Sequence, residues 1–333
     1  MRKPLFLIVV ALALIIGPPG GIFLADAGDV PGNVTWYANS PAGILPSGQD
    51  SGTPLTKFID SLPGVGPANA NNLGQYIPLA VPDTTTFPGS DYYIIGQQEF
   101  TEQVHSNLAK PTKFRGYVDL TGAGQPIHYM GPLIVAQRDR PVRIKFLNQF
   151  APSPGGQLFM PVDITLMNAG EGPLGPSGGS YTQNRTSIHL HGGHTPWYSD
   201  GTPHQWFTPP GETSPYLKGV SFRNVPDMPD PGDGGNTMYY PNQQGARLMF
   251  YHDHASAITR LNVYAGLAAG YIIHEPVEDD FINGTNVTGL NPGGQKLIPG
   301  FGAGVYQWGI PLIIQDKTFV PKNIAFQDNK WDT

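Results

Sequence analysis

Ser187-Ile188-His189-Leu190-His191-Gly192-Gly193-His194 starts as a β-branched and aliphatic run and stops at two glycines, the pattern of a strand closed by a turn. Alternate residues of a strand face the same side, so His189 and His191 present both imidazoles to one face. A lone H-x-H is common on exposed strands and decides little. A second copy, Tyr251-His252-Asp253-His254, ends the apolar run Arg247-Leu248-Met249-Phe250. Four imidazoles arriving in pairs from two strand ends suit a transition metal, copper or zinc.

Composition supports a fold made of strands. Gly 43 and Pro 35 among 333 residues call for many turns, and 11% aromatic content sets the chain apart from disordered sequences. Short strands between frequent turns make an all-β protein. With Cys 0, disulfides, thiolate zinc sites, thiol nucleophiles and iron–sulfur clusters are excluded. A formal charge of -6 argues against general nucleic-acid binding, which needs a concentrated basic face. At the start, Arg2 and Lys3 precede an apolar run over 5–16 that is short for a membrane span. Gly17-Pro18-Pro19-Gly20-Gly21 breaks it and Ala25-Asp26-Ala27 offers a cleavage site. Residues 1–27 are therefore predicted to be a signal peptide cut after Ala27. That implies export to the periplasm or cell exterior, with no stable membrane span after cleavage. An uncleaved anchor, with the apolar run extended over 22–24, is the alternative.

Along the chain, 28–90 reads as an irregular arm with one short helix around 55–62. Residues 91–104 read as a strand with Tyr93, Ile95 and Phe100 as core candidates. Segments 131–136 and 141–148 read as a hairpin across a charged turn, with Val142, Ile144 and Phe146 inward and Arg143 and Lys145 outward. Residues 151–183 are a long Gly- and Pro-rich loop, and 195–204 a polar and aromatic one. Asp227, Asp230 and Asp233 lack EF-hand spacing and read as a solvated turn. A short helix is predicted within 255–267 and a buried strand over 269–273, closing a domain at 276. Residues 277–310 read as a linker, and 311–333 open a further strand pattern. His105 and His128 are given no metal role. Asn33, Asn184, Asn283 and Asn286 each open an N-x-[ST] triplet, which matters only in a host that glycosylates exported proteins.

At His189-Leu190-His191-Gly192 and His252-Asp253-His254 the chain resembles the N-terminal part of a multicopper oxidase, of the laccase and bilirubin-oxidase type. The resemblance runs from about residue 55 onward. It includes 131–148, the loop Trp197 to Gly201, and 311–319 as the start of a second domain. It implies a cupredoxin-like Greek-key β-barrel or sandwich over 91–276, an irregular N-terminal arm, and an incomplete second cupredoxin domain over 311–333. By position, His189 would help hold a type 2 copper, and His191, His252 and His254 a type 3 pair. These are half of the imidazoles of the family's trinuclear cluster, which reduces O2 to water while an organic or metal donor is oxidised. Asp200 matches the family's acidic residue for proton delivery, and a plain turn aspartate before Gly201 is the competing reading. His194 and His204 fit neighbouring or surface positions better than ligation.

The family's other two motifs, H-x-x-H-x-H and H-C-H, are absent from these residues, and without cysteine no thiolate type 1 site forms. The expectation is an exported N-terminal portion, truncated or split, that needs the remaining cupredoxin domains or a complementing chain. Its reducing substrate is unidentified. The rival of a different class is a non-catalytic copper-sequestering protein, distinguished by one tight copper without oxidase activity. A mononuclear cupin-type enzyme is the third reading, and Glu212 without a suitable downstream His fits it poorly.

Overall fold

The computed structural model describes residues 55–319 and two short paired strands, β1 (Thr35–Trp36) and β2 (Gly43–Ile44). The signal segment 1–27, the rest of the arm before residue 55, and residues 320–333 lie outside the described residues, as does Asn33.

Some strands, such as β6, alternate apolar and polar residues, while β10 is buried along nearly its whole length. β3 (Asp91–Glu102) is followed by β4 (Thr112–Asp119), β5 (Ile134–Gln137), β6 (Val142–Asn148) and β7 (Ile188–His191). β8 (Gly235–Tyr240), β9 (Arg247–Asp253), helix α1 (Thr259–Ala265), β10 (Ala268–His274) and helix α2 (Pro276–Asn283) complete the order. One sheet runs β4-β3-β6-β8 and the other β5-β10-β9-β7. The pairs β3/β6 and β5/β10 are parallel and the other pairs in these two sheets antiparallel, so the chain repeatedly crosses between sheets. This is the all-β Greek-key sandwich expected of a cupredoxin.

One core holds the sheets together. Tyr93 and Ile95 of β3, Val142, Ile144 and Phe146 of β6, Met249 and Tyr251 of β9, and Tyr271 and Ile273 of β10 are all buried in it. Tyr251 meets Tyr117 of the opposite sheet at 4.9 Å and Phe146 at 6.4 Å between ring centroids. The alternation predicted for 142–146 appears as strict burial of every second residue. Phe100 is half-buried, at the end of β3 where the core thins.

Four expectations are corrected. No helix forms over 55–62, which makes a turn whose Asp60 and Ser61 pair with Ser106 and Asn72. Segments 131–136 and 141–148 are not a hairpin: β5 and β6 belong to opposite sheets, and the charged turn between them is an inter-sheet connection. The linker contains α2, with Pro276 in its first turn, Glu278 and Asp279 complementing the helix N-terminus, and Gly284 in the left-handed conformation as its stop. Trp308 stacks on His274 at 4.3 Å and donates to Asp279 Oδ1 at 2.6 Å, so this segment packs back onto the sandwich. Residues 311–319 form no strand. They lie along α1 and Tyr129 through Gln315–Tyr129, Lys317–Tyr264 and Thr318–Tyr264 bonds. Among the described residues no helix is long and apolar enough to cross a membrane.

Candidate metal centre

β7 is the edge strand of its sheet and pairs antiparallel with β9, placing His189 directly opposite His252 and His191 opposite Phe250. The period-two pleat sends Ile188, Leu190, Met249 and Tyr251 into the core and the histidines to the outer face. His254 follows two residues after His252, just past the end of β9. All four rings converge. His189 lies 5.7 Å from His191, 5.5 Å from His252 and 4.8 Å from His254, centroid to centroid. Ligand nitrogens of His189, His191 and His252 all lie within 4.8 Å of one another.

Backbone carbonyls set the tautomers. A carbonyl only accepts, so the ring nitrogen facing it carries the hydrogen. His189 Nδ1 donates to Asp200 O at 2.5 Å, His252 Nδ1 to Asp253 O at 2.6 Å, and His254 Nδ1 to Gly201 O at 3.0 Å. In each case Nε2 is left with its lone pair. His191 Nδ1 lies 3.2 Å from His252 Nε2. An N–H anchored to a carbonyl behind each ring and a lone pair in front is the preparation a metal-binding imidazole needs. The donor set therefore fits a transition metal.

The turn at 200–201 serves one histidine from each strand. The single helical turn Trp197–Ser199 leads into it, and Ser199 Oγ accepts from Tyr239 N at 2.9 Å, fixing it to β8. Asp200 keeps its carboxylate at the rim, with Thr195 Oγ1 3.3 Å and His189 Nδ1 3.7 Å from Oδ1. Phe250 stacks on His191 at 4.7 Å and on His252 at 5.1 Å, so one exposed aromatic flanks two imidazoles. Phe250 and Asp253 escaped the sequence reading. Phe250 is two residues before a histidine, hence on its face, and that spacing is the signal that could have found it.

Other candidates fall elsewhere. His194 meets Gln244 through its backbone, His204 is exposed, and neither joins the cluster. His105 ties Thr56 to the sandwich and His128 pairs with Glu102. Glu212 binds Ser153 N and Asn184 Nδ2, which makes it a loop clamp and removes the cupin reading. The same bond and full burial make Asn184 a structural residue. Asp227 forms a two-pronged ion pair with Arg143.

Burial pulls His189 below the usual histidine pKa and holds His252 down to about 4. His252 is therefore neutral, with its lone pair available, across the neutral range. The unfolded chain protonates near 6.5 while the folded one does not. Stability from this group is thus complete above pH 6.5 and is lost as pH falls toward 4, where protonation of the folded state catches up. The metal-free protein is expected to lose about 3 kcal/mol to this group between pH 7 and pH 4. Urea unfolding of wild type and His252→Gln across that range checks it: the variant should show a visibly flatter profile, and identical profiles would refute the assignment.

No family model matches the chain. It is 35% identical over 225 residues to a laccase of Bacillus subtilis, covering 67% of this chain and 34% of the relative. It is 31% identical over 277 residues to a laccase of Bacillus stratosphericus, covering 83% and 41%. A laccase of Haloferax volcanii is 30% identical over 231 residues, covering 69% and 32%. The chain thus spans 32% to 41% of the length of these curated relatives.

Proposed function

Given that the chain belongs to the multicopper oxidase family, we propose that His189, His191, His252 and His254 supply half the imidazoles of a trinuclear copper cluster. The carrying observation is the paired-strand face itself: four rings converge from β7 and β9, three of them locked by carbonyls with Nε2 presented. Bound copper would supply one-electron redox chemistry for reducing O2 to water at the expense of an organic or metal donor. The chain's own residues do the rest. The turn at 200–201 and the Asp253 carbonyl orient the rings, and Phe250 shields one side. Asp200, half-exposed at the rim, holds or passes a proton at its carboxylate. His191, Phe250 and Leu248 are exposed on the same outer strand face, which suits a surface that another cupredoxin unit covers to complete the cluster.

A second reading, a non-catalytic protein that sequesters copper, rests on the three ligand nitrogens lying close enough to hold one ion alone. Copper titration with oxygen-uptake assays separates the two, using the chain from Gly28 that export and cleavage after Ala27 would produce. We expect copper bound at the histidines but no oxygen consumption with a phenolic donor, since no thiolate site lies in this sequence. His189→Ala and His252→Ala should each lower copper affinity by at least about tenfold. Wild-type copper binding in both variants would overturn the site. One very tight copper, unaltered when the remaining family domains are added, would favour sequestration.

A further inference from the structure

We propose that Asp253 is the positioning residue that sets the spacing and register of the two histidine pairs. The proposal rests on the copper reading above and adds a residue to it. The β7/β9 ladder spans only four residue pairs, Ile188↔Asp253 to His191↔Phe250, and β7 is the sheet edge. A strand so short holds its register weakly, and a slip of one residue would carry His189 and His191 to the core face. Asp253 is fully buried on the side opposite the imidazoles, and its two oxygens divide their work. Oδ1 accepts from Thr186 Oγ1 at 2.8 Å and Ser187 N at 2.9 Å, in the lead-in to β7. Oδ2 accepts from Ala255 N at 3.1 Å and Asn262 Nδ2 at 3.0 Å, in the chain leaving β9 and in α1. Its backbone carbonyl orients His252. One residue thereby ties β7 to β9 at the end where His189, His252 and His254 meet.

An amide at 253 has a single acceptor oxygen, so it would turn an NH2 group toward donors on one of the two sides and release that strand. Thr186→Val is milder: it cuts one bond on the β7 side and leaves the carboxylate intact. Ile144→Val, a core change away from the site, serves as a control for stability alone. Two readouts apply: copper affinity with the Cu(II) EPR spectrum, and ring-nitrogen NMR of the metal-free histidines. Asp253→Asn and Thr186→Val are expected to weaken copper binding, the former by about 10- to 100-fold, and to alter the EPR hyperfine pattern. The His189 and His252 tautomer signals should also become mixed. Ile144→Val should change neither. Wild-type affinity, spectrum and tautomers in Thr186→Val and Asp253→Asn would overturn the proposal. If Asp253→Asn does not fold, Thr186→Val decides. If wild type itself binds no copper, the copper reading fails, and the tautomer signals still decide the positioning role.

Discussion

Gly201→Ala is expected to destabilise the protein strongly and to disrupt the histidine cluster, whereas Gly192→Ala does neither to the same degree. Both glycines have left-handed backbones, φ +69° and +80°. A methyl group at 192 meets nothing within 4 Å, so it bears only the conformational cost of about 1 kcal/mol. At 201 the methyl carbon would fall 1.8 Å from the Ile188 carbonyl oxygen and 2.9 Å from His189 Cα. Those are backbone atoms of β7 and cannot swing aside. The turn must lift away, and overpacking of this kind adds about 1–3 kcal/mol to the conformational term. What lifts is the pair of carbonyls that holds His189 Nδ1 and His254 Nδ1. Copper affinity should therefore fall in Gly201→Ala by more than its stability loss alone would suggest. Urea unfolding and copper titration of the two variants provide the check. Equal, modest effects at both positions would show that the close approach of the turn to β7 is not needed.

The part of this fold that was legible is the part governed by local alternation. Val142, Ile144 and Phe146 announce their inward face because the pleat has period two, and the two H-x-H pairs announce a shared face for the same reason. Which strands pair is not a local property. Gly131 to Asn148 looks like a hairpin because two apolar runs flank a charged turn. The identical pattern serves a chain that leaves one sheet and enters the other, and only the rest of the barrel decides between them. Residues 311–319 show the same limit from the other side: a β-favouring run does not settle by itself whether it becomes a strand. The α2 signals, Pro276 at the start and Gly284 at the end, were present in the sequence but were submerged in a Gly- and Asn-rich stretch. Asp253 was hidden more deeply. Alternation alone places it on the face opposite the histidines, and nothing local shows that Thr186 and Asn262 fold onto its carboxylate.

Arg115→Met is expected to cost about 3–5 kcal/mol and to free the long loop at 151–183. Arg115 lies on β4, a strand that the sequence reading did not single out. In the fold it is completely buried, with its guanidinium over the Phe150 ring at 4.4 Å. Nη1 donates to Gln183 O at 2.8 Å and to Asn262 Oδ1 at 2.9 Å, while Nη2 donates to Gly156 O at 2.8 Å. Gly156 and Gln183 stand near the two ends of the loop, so one side chain gathers both onto the sandwich. Glu99 supplies a partial countercharge at 3.4 Å and is shared with Lys113. Methionine fills much of the space but leaves buried acceptors without donors, and that loss outweighs the charge desolvation it removes. Lysine keeps the charge and lacks the planar fork that reaches three acceptors at once, so Arg115→Lys should recover only part of the loss. Arg185 holds the same loop through Thr182 O and Asn168 O, also at near-complete burial, and keeps part of it anchored when Arg115 is gone. Limited proteolysis should therefore cut Arg115→Met within 151–183 faster than wild type, and faster nearer residue 156 than near 168. Since Asn262 also donates to Asp253, loosening it carries the disturbance to the histidine strands, and copper affinity should fall with loop release. A variant that unfolds within about 1 kcal/mol of wild type and resists cleavage equally would mean that the loop is held by its apolar contacts alone.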